Sequence, residues 1–102
     1  MNHPKLTKQN KEFIIQTIVE KLEKKKVKII MFGSVVAGSA SSRSDVDLAL
    51  DIGKPIDPAK IAFIKEAFEE SHLPFDVDII DLHRVSTEFR KIVLEKGCTI
   101  KL

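Results

Sequence analysis

The sequence predicts an α/β (α+β) fold. It is a small mixed β-sheet with helices on one face, in the order α-β-β-α-β-α, with room for a short C-terminal edge strand. Three observations carry this. The first is apolar residues at helical spacing in the segment around Ile14. The second is three short runs that alternate apolar and polar residues or are rich in β-branched ones. The third is turn chemistry at Gly53-Lys54-Pro55 and Asp57-Pro58, which punctuates the chain between the runs. At 102 residues the chain suits one domain, residues 1–102, and its 43% apolar content is enough for a modest core.

In chain order, residues 7–25 form an amphipathic helix, with Ile14, Ile15, Ile18, Val19 and Leu22 on one side and Lys and Glu on the other. Thr7 serves as its N-cap, and the lysines at 24–26 meet the negative end of the helix dipole. Residues 27–32 (Val-Lys-Ile-Ile-Met-Phe) form the first strand. Residues 33–44, with Gly33, Gly38 and six serines or alanines after Val36, read as a loop with a short helical turn. Residues 45–52 form the second strand. Asp57 caps the next helix and Pro58 occupies its first turn. That helix, about 58–72, buries Ile61, Ile64, Ala67 and Phe68. Residues 75–80 form the third strand. Residues 86–96 form the last helix, with Phe89, Ile92 and Val93 inward and Gly97 as the stop, before the tail Cys-Thr-Ile-Lys-Leu.

Composition excludes several classes of function. No run of about 18 apolar residues spans a membrane, and the first residues lack the apolar core of a secretory signal. A cytoplasmic location is expected. The single cysteine, Cys98, forms no internal disulfide and reads as a small packing residue. The net charge of +2 is unevenly spread: residues 1–28 carry eight Lys and three Glu, and residues 29–102 carry nine Lys or Arg and twelve Asp or Glu. No aromatic residues interleave the N-terminal lysines, so direct nucleic-acid binding is not expected and the basic helix reads as a solvated face.

Chemistry enters with Gly33-Ser34, ten intervening residues, and Asp45-Val46-Asp47. Side chains alternate faces along a strand. Asp45, Asp47, Ala49 and Asp51 therefore share one face of the second strand, opposite Val46, Leu48 and Leu50. In the third strand Asp76, Asp78 and Ile80 lie opposite Phe75, Val77 and Ile79. If the two strands are neighbours, Asp45, Asp47 and Asp76 or Asp78 converge, which is costly without a compensating cation. Mg²⁺ favours hard oxygen ligands of this kind, and paired metal ions suit displacement at phosphorus. Gly33 permits close backbone approach to a phosphate, and Ser34 adds a hydroxyl donor.

The pattern Gly33-Ser34-(10)-Asp45-Val46-Asp47 resembles the signature of the DNA polymerase β-type nucleotidyltransferases. The chain's length resembles that of their smallest branch, the minimal nucleotidyltransferases (MNT). The resemblance covers nearly the whole chain and implies the nucleotidyltransferase fold. It also implies Asp45, Asp47 and a later carboxylate as catalytic residues and ligands for two Mg²⁺ ions, with Mn²⁺ as an alternative. The stretch Val77-Asp78-Ile79-Ile80-Asp81-Leu82 matches the family's third-carboxylate segment. Asp78 is the first choice, Asp76 the second, and Asp81 a turn or cap residue. Gly33, Ser34, Arg43 and Ser44 are the nucleotide-binding candidates. Ala37 stands where many relatives place an arginine.

The resemblance further implies ATP as substrate and transfer of AMP to a hydroxyl of a partner protein. The partner would be a helical HEPN-type toxin in a hetero-oligomer, with this chain as the antitoxin. Two alternatives stand beside that reading: an antitoxin that neutralises its partner by contact alone, which Ala37 favours, and a small-molecule nucleotidyltransferase.

Overall fold

The computed structural model describes residues 6–23, 26–32 and 46–100. Three helices and four strands follow one another as α1 (Lys8–Leu22), β1 (Lys28–Phe32), β2 (Val46–Asp51), α2 (Pro58–Glu69), β3 (Val77–Asp81), α3 (Thr87–Lys96) and β4 (Cys98–Thr99). The expected order holds, including the short last strand. The expected helices at 7–25 and 58–72 run slightly long, and the three longer strands fall within a residue or two of their predicted bounds. The loop reading of 33–44 lies outside the described residues.

Each helix begins where its sequence offers a cap. Thr7 Oγ1 accepts a hydrogen bond from Asn10 N at 3.1 Å, Asp57 Oδ1 from Ala59 N at 2.9 Å, and Ser86 Oγ from Phe89 N at 3.1 Å. Pro58 sits in the first turn of α2, where a missing N–H costs no helical bond. At the other end of α1, Glu23 takes a left-handed conformation (φ 56°). Lys60 reaches across from α2 to the Leu22 carbonyl at 3.4 Å, fastening the two helices together.

The sheet order is β3-β2-β1-β4. β1 runs antiparallel to both β2 and β4, and β2 runs parallel to β3 through the α2 crossover. Alternation along the strands divides the core in two. Ile29, Met31, Val46, Leu48, Leu50 and Ile79 face α1 and α2, where Ile14, Ile18, Leu22, Ile64 and Phe68 meet them. Ile14, Ile18, Leu48, Leu50 and Ile64 are completely buried, and each such side chain contributes about 1.5–3 kcal/mol of transfer free energy.

The other face is also covered, which corrects the one-sided expectation. Ile30, Phe32 and Ala49 turn to the second face and pack against Leu82, Val93 and Phe89. Thus α1 and α2 lie on the expected side and α3 on the opposite one. The cause is in β1, a run of apolar residues with no polar member after Lys28, so both of its faces need cover. Phe32 and Phe89 meet edge to face, with centroids 5.7 Å apart. Ile92, expected inward, is instead 40% exposed, because the stripe that α3 buries is the narrower Phe89–Val93 pair.

Gly97 ends α3 and delivers the chain directly into β4. A Cβ there would lie 2.4 Å from Ile30 Cγ2 and 2.6 Å from the Val93 carbonyl, so only glycine allows helix and strand to meet so closely. Among the described residues no helix is long and apolar enough to cross a membrane.

Candidate active site

The parallel pairing of β2 with β3 brings the expected carboxylates together. Asp47 and Asp78 are register partners on adjacent strands, one step along from the Val46–Val77 pair. Residues paired this way lie side by side on one face, across an interstrand spacing of about 4.8 Å. On its other side Asp47 is paired with Phe32 of β1, so the carboxylate lies between an apolar neighbour and a second acid. Asp47 is buried, with 8% exposure. Asp78 belongs to the terminal strand and is about half exposed, and Lys65 of α2 reaches it with Nζ 3.6 Å from Oδ1.

Asp76 stands one step before β3, with its carbonyl accepting from Val46 N at 3.1 Å and its side chain on the surface. The register thus sets Asp78, not Asp76, beside Asp47. Gly33, Ser34, Ala37, Arg43, Ser44 and Asp45 lie outside the described residues. Among the described residues no three His, Cys, Asp or Glu side chains gather into a metal-binding group; the expected trio includes Asp45. The two carboxylates that are described are hard oxygen donors of the kind Mg²⁺ takes, so the donor chemistry fits the expected ion.

A different set of acids occupies the far end of the same strands. Asp81 is buried, and its Oδ2 accepts from Ile56 N at 2.7 Å while Oδ1 accepts from His83 N at 2.9 Å. Arg84 stands 3.5 Å from Asp81 Oδ2 and donates to the Ile56 carbonyl through Nε and Nη2. Asp51 Oδ1 accepts from Gly53 N at 2.8 Å and from His83 Nε2 at 2.6 Å. Partial burial works to raise the Asp51 carboxyl. The Gly53 amide, the His83 ring and Lys28 outweigh it and hold the group below the usual carboxylate range. Asp81 is therefore a turn-fixing residue, as its place in the sequence suggested. The Asp51–His83 pair and the Lys65–Asp78 pair were not foreseen. Both join residues remote in sequence, and no local spacing signals them.

Known proteins resemble this chain in sequence and in fold. Residues 14–101 match the family described as "Polymerase beta, Nucleotidyltransferase". A probable protein adenylyltransferase, MntA, of Haemophilus influenzae is 40% identical over 80 residues, covering 78% of this chain and 69% of that protein. Among solved structures, a toxin–antitoxin bound to AMP-PNP superposes with a TM-score of 0.61 at 27% identity, covering 86% of this chain and 70% of that one. The MntA–HpeT toxin–antitoxin in a form with one Tyr-to-Ala change gives 0.65 at 26% identity, covering 90% and 72%. A form with two Asp-to-Glu changes gives 0.66 at 24% identity over 88% and 70%, a likeness of fold.

Proposed function

The chain belongs to the polymerase beta nucleotidyltransferase family, and from that premise we propose that it transfers AMP from ATP to a hydroxyl of a partner toxin, acting as the antitoxin of the pair. The observation that carries this reading is the side-by-side placement of Asp47 and Asp78 on parallel neighbours. Folding alone gains little from two acids set next to each other, whereas nucleotidyl transfer uses them. The relative named as a protein adenylyltransferase and the toxin–antitoxin likenesses support the choice of a protein acceptor. We assign the toxin to the HEPN type and the setting to the cytoplasm.

In this reading Asp45, Asp47 and Asp78 hold Mg²⁺, which when bound neutralises charge on the phosphates. Asp78, at the exposed strand edge, orients the acceptor hydroxyl and takes its proton. The acceptor oxygen forms a bond to the α-phosphorus, the bond from that phosphorus to the bridging β-phosphate oxygen breaks, and pyrophosphate leaves. Buried Asp47, backed by Phe32, has a fixed position, and such preorganisation is the main contribution a protein makes to phosphoryl chemistry. Gly33, Ser34, Arg43 and Ser44 are assigned to the triphosphate.

The test is co-expression with the protein encoded by the adjacent gene, as the candidate toxin, followed by mass spectrometry of that protein. An added AMP that disappears with Asp45→Asn is expected. A toxin that stays unmodified, yet is still neutralised by Asp45→Asn, establishes neutralisation by contact and ends the transferase reading. Calorimetry with ATP should likewise show binding that depends on Mg²⁺.

A further inference from the structure

β3 is the terminal strand of the sheet, and among the described residues no strand pairs with its outer edge. Its inner ladder runs through even-numbered residues: the Asp76 carbonyl accepts from Val46 N at 3.1 Å, and Leu82 N donates to the Leu50 carbonyl at 3.0 Å. Alternate residues of a parallel strand bond to the same neighbour, so the main-chain groups of Val77 and Ile79 point outward. An edge of this kind is a template for one more strand.

Beside that edge lies an open cleft between α2 and the start of β3. It is lined by Lys65 and Glu69 of α2, by Leu73 and Phe75, and by Asp76 and Asp78, with Lys65 reaching Asp78 at 3.6 Å. The cleft is therefore continuous with the proposed site, because Asp78 belongs to both. Its charged lining is three carboxylates against one ammonium, which favours a basic occupant.

Resting on the function proposed above, we propose that the acceptor-bearing segment of the toxin docks in extended form along the outer edge of β3. Its main chain pairs with Val77 and Ile79. Its basic side chains lie towards Glu69 and Asp76, and its hydroxyl is delivered to Asp78. An added strand sends alternate side chains to opposite faces, so one parity supplies the acceptor and the other fills the cleft. Affinity then comes from main-chain bonds and charge.

The experiment uses the full chain and the purified product of the adjacent gene, taken as the toxin of the proposed pair. Residue-resolved hydrogen exchange should show the amides of Val77 and Ile79 gaining protection when toxin is added. Glu69→Lys, a surface change at the end of α2 checked by thermal melting, should raise the KM for toxin about tenfold and leave ATP affinity unchanged. Val77→Pro removes an outward donor and should act in the same direction; because Val77 also packs against the core, it is compared with Val77→Ala, which keeps the donor and should leave the KM for toxin near that of wild type. A complex that leaves both amides unprotected, with KM unchanged in Glu69→Lys, overturns the proposal. So does protection that appears in the chain alone at high concentration, since the edge then belongs to a second copy. If the edge becomes protected by toxin but wild-type protein transfers no AMP, the docking stands and the transferase reading falls. If AMP is transferred with the edge unprotected, the docking alone falls.

Discussion

The two ends of β2 both carry acids on strands paired to β3, but they solve opposite problems. At the Gly53 end, Asp51 and Asp81 are each met by donors: the Gly53, Ile56 and His83 amides, the His83 ring and Arg84. These carboxylates tie the chain leaving β2 to the chain leaving β3. At the Asp47 end, two carboxylates are paired with each other by strand register. The first arrangement stabilises the fold by itself. In the second, Lys65 reaches Asp78 from outside, and the function proposed above would add a cation and a nucleotide beside the two acids. A charged residue in a small domain is thus read by its neighbours more than by its burial, since Asp47 and Asp81 are buried to nearly the same degree, 8% and 6% exposed.

That contrast can be broken from either side. The largest effect is expected at the Asp47 end. Asp47→Asn keeps the size of the side chain and removes its charge, so AMP transfer should fall by about 10²–10³-fold. The melting temperature should hold or rise slightly as repulsion is relieved. Labelled ATP and a thermal melt measure both, and a large loss of stability would move Asp47 to the structural class.

Asp81→Ala should do the reverse. It strips acceptors from the Ile56 and His83 amides, at a cost of about 2–4 kcal/mol, which in a domain of this size lowers Tm by about 10 °C or more. Transfer measured well below the new Tm should persist. If calorimetry finds Asp81→Ala as stable as wild type, the latch has been misread.

A smaller effect concerns pH. The Asp51 carboxyl titrates lower in the folded chain than in the unfolded one, so its ionised form favours folding. That contribution is complete above the unfolded value near about pH 4 and is lost as pH falls through the lower folded value. Wild-type Tm should therefore drop more steeply below about pH 4 than that of Asp51→Asn, with the curves running parallel at neutral pH. Parallel curves at all pH values would remove Asp51 from the account. The smallest effect is expected for Lys65→Met. A half-exposed pair at 3.6 Å contributes about 0–1 kcal/mol, so denaturant titration should find stability changed by no more than about that amount.

Much of this layout is legible in the sequence because it is local. Caps at Thr7 and Asp57, the proline at 58 and the alternation around Asp47 each depend on residues within a turn or two. The acidic face was legible for the same reason: period-two alternation puts Asp47 on one face and Asp76 and Asp78 together on another, the family resemblance favours Asp78, and the strand register sets Asp78 beside Asp47. The side on which α3 packs was not legible. It depends on which face of the unbroken apolar run in β1 remains uncovered once α1 and α2 have docked. Ile92 was assigned inward for a related reason: helical periodicity gives a stripe but not its width, and Phe89 with Val93 suffices. The Asp51–His83 and Lys65–Asp78 contacts are products of tertiary assembly and leave no trace in spacing.

The close passage at Gly97 also sets a clock. It lets β4 follow α3 without a loop, and β4 pairs with β1, so on that flank Ile30, already matched with Ala49 of β2 on the other, is met by Thr99. A ribosome adding roughly 5–20 residues per second needs several seconds to travel from one to the other. Throughout that interval the central strand has emerged but one of its flanks has no mate. Among the described residues β4 is the strand of this sheet that comes latest in the chain, and the close fit of Gly97 against Ile30 is what lets it follow α3 directly.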